Sequence, residues 1–140
     1  MLRIITLLNQ KNHYLEKFYS LNETELLNFV RGDFNSLESF YQMRDKILEI
    51  IKYIDSEVDH AQVRSEGELT LEIKLQIRES LAIKDEYVNR ILAQDLEILA
   101  CIENEKSNII RELQSINRSK NAVGRYKSGI GDARRLDEEV

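Results

Sequence analysis

The run from Thr70 to Ala122 contains neither Gly nor Pro, and it limits what the chain can fold into more than any other stretch. It is rich in Leu, Glu, Lys, Arg and Gln, which lose little rotamer freedom in a helix. Counted in sevens from Leu81, one register reads Leu81, Val88, Asp95, Ile102, Ile109, Ile116 and Val123. All but Asp95 are apolar. Companion positions add Ile91, Leu92, Ile98, Leu99 and Leu113. A seven-residue repeat sustained this far marks a helix that buries a stripe against other helices. Unbroken, the run is roughly 80 Å long at 1.5 Å per residue. The two helices predicted upstream are about half that, so the central question is what covers the part of the stripe they do not reach.

The remaining chain is consistent with a single helical domain. At 140 residues it is long enough for a real core. Charged residues make up 32% of the sequence, as expected of helices with one wet face. The net charge of −5 argues against a general nucleic-acid binder, because phosphate neutralisation needs an excess of Lys and Arg. The lone Cys101 excludes an internal disulfide, fits a reducing cytoplasm and reads as a small buried hydrophobe. No apolar run approaches the length of a membrane span, and Met1 to Leu8 reads as a helix lead-in or a loosely packed start.

The first helix is predicted from about Thr6 to Arg31, with Leu8, Leu15, Phe18, Leu26 and Phe29 as its apolar line. Asn22 stands where an apolar residue is expected, a placement that can set register. Gly32 supplies the left-handed residue that closes a helix, and Asp33 or Asn35 caps the next. So short a turn forces two long helices to lie antiparallel and adjacent. The second helix runs from about Ser36 to Gln62. Its stripe is Leu37, Phe40, Tyr41, Ile47, Leu48, Ile51, Ile54 and Val58, with Arg44 in a stripe position, its stem on apolar surface and its head in water. A polar loop around Gly67 leads to the long run.

Lys84-Asp85-Glu86 is the one weak joint in that run. The heptad passes through it, which favours a continuous or kinked third helix over a break. In the continuous case, residues from about Leu71 to Leu99 run back along the second helix and Ile102 to Val123 extend past the bundle. The expected fold class is therefore all-α: an antiparallel bundle of three long helices, the third breaking near Lys84-Asp85 if it breaks at all. Residues 1–123 form the domain and 124–140, with three Gly and mixed charge, a flexible tail.

Catalytic chemistry is hard to find. Glu57-Val-Asp-His60 has the Glu-x-x-His spacing of di-metal bundles, but such sites need a second copy, and His13 lacks one. No Gly lies in a phosphate-cradling loop. The expectation is no enzyme activity, no metal and no cofactor. The informative feature is the apolar line Ile98, Ile102, Ile109, Ile110, Leu113 and Ile116. It is set in a basic segment: from Lys106 to Lys127 there are six Lys and Arg against Glu112 alone. Either the helix breaks and buries this line in its own core, or the line takes a partner's amphipathic helix at three- and four-residue spacing. A homodimer through the same stripe satisfies it as well.

The stretch Tyr14 to Ile54 resembles the amino-terminal hairpin of the FlgN and FliT type flagellar export chaperones: a helix rich in Leu and Glu, the turn Gly32-Asp33, then Leu37, Arg44 and Ile47-Leu48. The stretch from Asp95 to Ser128 resembles their last helix, which ends in a basic segment containing a Tyr, here Tyr126. Together the likeness spans most of residues 10–128. The resemblance implies a small cytoplasmic bacterial chaperone without cofactors. Its client would be the C-terminal amphipathic helix of a late flagellar subunit, a hook-filament junction protein or the filament cap. It would prevent premature assembly and deliver the client to the export gate, with Tyr126 as the gate contact. The alternative is a non-enzymatic coiled-coil adaptor or homodimeric scaffold. Neither reading involves nucleic acid or membrane insertion.

Overall fold

The computed structural model describes residues 2–64 and 69–130, with side chains for residues 3–62 and 69–124. It contains three α-helices: α1 (Leu2–Val30), α2 (Leu37–Arg64) and α3 (Leu71–Ile130). Among the described residues there is no strand. The chain divides into two compact units, Met1–Ile98 and Leu99–Val140, and α3 contributes residues to both.

The turn between α1 and α2 forms for the reason its sequence indicates. Gly32 has φ +75°. The Gly32 amide donates to the Phe29 carbonyl at 2.9 Å and the Asp33 amide to the Asn28 carbonyl at 2.9 Å, the paired bonds of a Schellman closure. Asp33 Oδ1 then accepts from the Asn35 amide at 2.9 Å, while Phe29 and Phe34 stack with centroids 4.5 Å apart. Ser36, not the expected Asp33 or Asn35, stands at the cap position of α2; its hydroxyl donates to Glu25 Oε1 at 2.7 Å and ties the turn back to α1. At the start of α3, Thr70 Oγ1 accepts from the Ile73 amide at 3.2 Å, an N-cap.

In the first unit α1 and α2 are antiparallel, as Arg3–Glu57 and Lys11–Asp55 show. α3 runs parallel to α1: Ser80 meets Asn9 and Asn12, and Gln94 meets Tyr19 and Asn22. Two apolar clusters hold the unit together. One joins Ile4, Leu7 and Leu8 to Ile54 and Ala61; the other joins Leu15 and Phe18 to Ile51 and Ile91. The start of α1 is thus core and not a loose lead-in: the helix begins at Leu2, and Ile4 and Leu7 are buried because the end of α2 packs across them.

Helix α3 does not break at Lys84-Asp85. The Asp85 carboxylate pairs with the Lys84 ammonium at 2.7 Å instead of capping a new helix, and Glu86 pairs with Arg90 one turn on. The helix also passes through Gly124 to Ile130, beyond the Val123 end that the glycine suggests. The loop around Gly67 and the tail after Ile130 lie outside the described residues.

The seam that α3 presents to the first unit is not the register with the most apolar residues. Leu81 is exposed, and Val88 and Asp95 are half-buried. The most buried positions are Ser80, Ile91, Gln94 and Ile98, which share one face of the helix. Two of these are polar, and each has partners on α1. Ser80 Oγ donates to Asn9 Oδ1 at 2.6 Å, and its carbonyl accepts from Asn12 at 3.0 Å. Gln94 Oε1 accepts from Asn22 at 3.0 Å, and its amide donates to the Tyr19 carbonyl and to Glu23. Asn22 is fully enclosed, with Gln94 as its hydrogen-bonding partner. Buried polar pairs of this kind hold one register against a slip, since any shift would leave both groups without partners.

Arg44 also differs from its expected placement. Its head does not reach out to water. It pairs with Asp95 at 3.2 Å and lies 4.9 Å from the Phe18 ring centroid and 5.3 Å from that of Phe40. The two charged residues that interrupt the apolar stripes of α2 and α3 are thus each other's partners.

Candidate functional site

The second unit holds most of the residues singled out from sequence. Ile109, Ile110, Leu113, Ile116 and Val123 are each about half exposed, between 46% and 55%. Every described side chain from Lys106 to Val123 is exposed. The helix persists because the segment contains no breaker before Gly124 and its polar positions make local contacts. Arg111 Nη2 donates to Asn108 at 2.7 Å. Arg111 Nε reaches the Ser107 carbonyl and Arg118 Nε the Gln114 carbonyl, each one turn back. These contacts hold guanidinium groups beside the apolar positions. Covering the remaining exposed half of each aliphatic side chain would contribute about 1 kcal/mol apiece, on the order of 5 kcal/mol for the set before the cost of association.

Two of the six expected contact residues differ from the others. Ile98 is only 1% exposed and belongs to the core of the first unit, so it is not available to a partner. Ile102 is half-buried, as is Cys101. Tyr126 falls in the last turns of α3, with its side chain outside the described residues.

The first unit carries a feature that sequence reasoning missed, an apolar groove of about 190 Å³. Leu15 and Phe18 of α1 line it together with Leu48 and Ile51 of α2 and Val88, Ile91 and Leu92 of α3. The Arg44–Asp95 pair completes the lining. Leu48 and Leu92 are 48% and 58% exposed. A signal was present in the sequence: Leu48 and Leu92 directly follow the stripe residues Ile47 and Ile91, so each helix carries an apolar stripe wider than one seam can bury.

Glu57 and His60, the Glu-x-x-His pair, each sit apart from any second such pair among the described residues. Glu57 accepts from Arg3 at 3.2 Å, and His60 is exposed. His13 lies edge-on to Tyr14 at 5.5 Å. Among the described residues no cluster of three His, Cys, Asp or Glu stands close enough to hold a metal ion, and no helix is long and apolar enough to cross a membrane.

No protein-family model, characterised protein or solved structure matches the chain at a significant level.

Proposed function

We propose that this chain is an export chaperone of a flagellar secretion system. It binds the C-terminal amphipathic helix of a late flagellar subunit, a hook-associated or cap protein, on the stripe Ile102, Ile109, Ile110, Leu113 and Ile116. It withholds that helix from assembly in the cytoplasm and hands it to an export-gate component, with Tyr126 as the gate contact. The observation that carries the reading is the row of half-exposed aliphatic residues on an uninterrupted helix. An apolar row of this kind on a protein surface marks an interaction site, and three- and four-residue spacing suits a helix as the bound element. The likeness of the Gly32-Asp33 hairpin and the basic, Tyr-containing end to the FlgN and FliT type supports the choice of client.

The test is calorimetric titration of the full chain with C-terminal peptides of hook-associated and cap proteins. Saturable one-to-one binding to one peptide with a negative heat-capacity change is expected. Ile109→Asp and Ile116→Asp should abolish it without changing stability by more than about 0.5 kcal/mol, because both positions are exposed. Binding that survives both substitutions, or none to any peptide, refutes the reading.

A further inference from the structure

The two parts of α3 differ in what holds them helical. Over residues 71–98 the helix has buried positions, Ser80, Ile91, Gln94 and Ile98, and tertiary packing supplies most of the stability of a helix in a folded protein. From Lys106 to Val123 every described side chain is exposed, so this arm depends on its own propensity and on local contacts. Its composition is poor for that. Ten of its 18 residues are Ile, Val, Ser or Asn, from the weaker half of the helix-propensity scale; over residues 71–98 that half supplies 11 of 28. β-branched side chains lose rotamer freedom in a helix, and Ser and Asn compete for the backbone's hydrogen bonds. Good helix formers extend a helix with propagation constants of only about 1–1.6 per residue. A residue from the weaker half lowers that constant up to about threefold relative to Ala, to below one. The contacts of Arg111 with Asn108 and Ser107, and of Arg118 with Gln114, let the helix continue, but all are exposed. Among the described residues no ion pair lies within 106–123.

We infer that the 106–123 arm is an order–disorder element: in the free chain it exchanges between helix and coil, and its helix is fully populated only when the apolar line Ile109, Leu113 and Ile116 is covered. The packed part of α3 supplies the nucleus, so the arm needs none of its own, and it melts back from Val123 toward Lys106. The line exists as one surface only while its residues stand three and four apart on a helix. Covering it and folding it are therefore a single step. A consequence for the client, which rests on the chaperone reading above, is that client affinity is reduced by the ordering of the arm.

Hydrogen–deuterium exchange of the full chain, read residue by residue by NMR, tests the inference without any client. Amides of residues 91–98 should exchange at least about a thousandfold more slowly than in an unstructured peptide, and those of residues 109–123 less than about tenfold more slowly. Slower exchange than that throughout 109–123 overturns the inference. A second measurement changes propensity alone. Ser107→Ala, Ser115→Ala and Ser119→Ala, combined in one chain, alter three exposed positions off the apolar line. They should slow exchange in the arm about threefold or more and deepen the helical circular dichroism. An unchanged spectrum and unchanged exchange overturn the inference, because an arm that is already fully helical has nothing to gain. Calorimetry with client peptides separates the two proposals. The triple-Ala chain should bind its peptide about threefold or more tightly than wild type, since less folding remains to be done on binding. Equal affinity overturns the coupling. Binding by neither chain, beside fast exchange in the arm, refutes the chaperone reading and leaves the order–disorder element standing.

Discussion

Replacing Arg44 and Asp95 singly and together tests why the apolar stripes of α2 and α3 each contain a charge. The side chains are 15% and 31% exposed and meet at 3.2 Å. That places the pair between exposed bridges, worth ~0–1 kcal/mol, and buried ones, where losing one partner costs ~3–5 kcal/mol. Arg44→Leu strands the Asp95 carboxylate beside an apolar groove and removes the guanidinium from the faces of Phe18 and Phe40, worth ~0.5–1 kcal/mol each at partly exposed sites. The added burial of a leucine offsets part of this, leaving a cost of about 2 kcal/mol. Asp95→Leu costs less, about 1 kcal/mol, because Arg44 keeps its aromatic neighbours and its long stem lets the head turn to water. The double Leu variant restores the apolar heptad and should fall within about 1 kcal/mol of wild type. The coupling is then about 2 kcal/mol. Urea unfolding of the four proteins measures it, with unchanged m-values as the check that each is a stability effect. A double variant destabilised by the sum of the singles, about 3 kcal/mol, would show that the pair is uncoupled and refute the reasoning.

Two further expectations concern the bundle itself, and urea titration reads both. Phe40 is 1% exposed, so Phe40→Ala should cost about 3–5 kcal/mol; a loss under about 1 kcal/mol would show that the side chain is not packed as described. Gly32 has φ +75°, and a methyl group at its Cα would meet no atom within 4 Å, so Gly32→Ala brings backbone strain without a clash and should cost about 1–2 kcal/mol. Gly32→Asn should recover part of that loss, since Asn tolerates the left-handed region better.

Much of the helical architecture can be read from local sequence because its causes are local. Gly32 is the chain's best left-handed residue between two periodic stretches, so the α1–α2 turn, its Schellman bonds and the antiparallel hairpin follow from a few adjacent residues. Thr70 caps α3 for the same kind of reason. The absence of Gly and Pro from 70–122 favours one long helix, and a long helix is what forms. Its persistence through Lys84-Asp85 is less legible in sequence, because Asp can cap a helix or pair with a neighbour, and only the folded chain shows that Lys84 takes it.

What composition could not settle is which edge of a wide stripe becomes the seam. Ile91 and Leu92, or Ile98 and Leu99, are equally apolar and differ by about 100° around the helix. Counting apolar residues favours the register through Leu81 and Val88. The protein instead buries the neighbouring line through Ser80, Ile91, Gln94 and Ile98. The deciding partners, Asn9, Asn12 and Asn22, lie on α1, some seventy residues away along the chain. A polar residue looks like a solvent position until its hydrogen-bonding partner is known. For the same reason Ile98 reads as a binding residue in sequence and is core in the structure, while Leu48 and Leu92 read as core and line an open groove. The sequence by itself determined that the chain forms long amphipathic helices joined by a tight turn, because propensity, capping and periodicity act within a few residues. Only the tertiary structure decided which apolar face is covered and which charges meet, because that depends on how side chains from distant segments fit together.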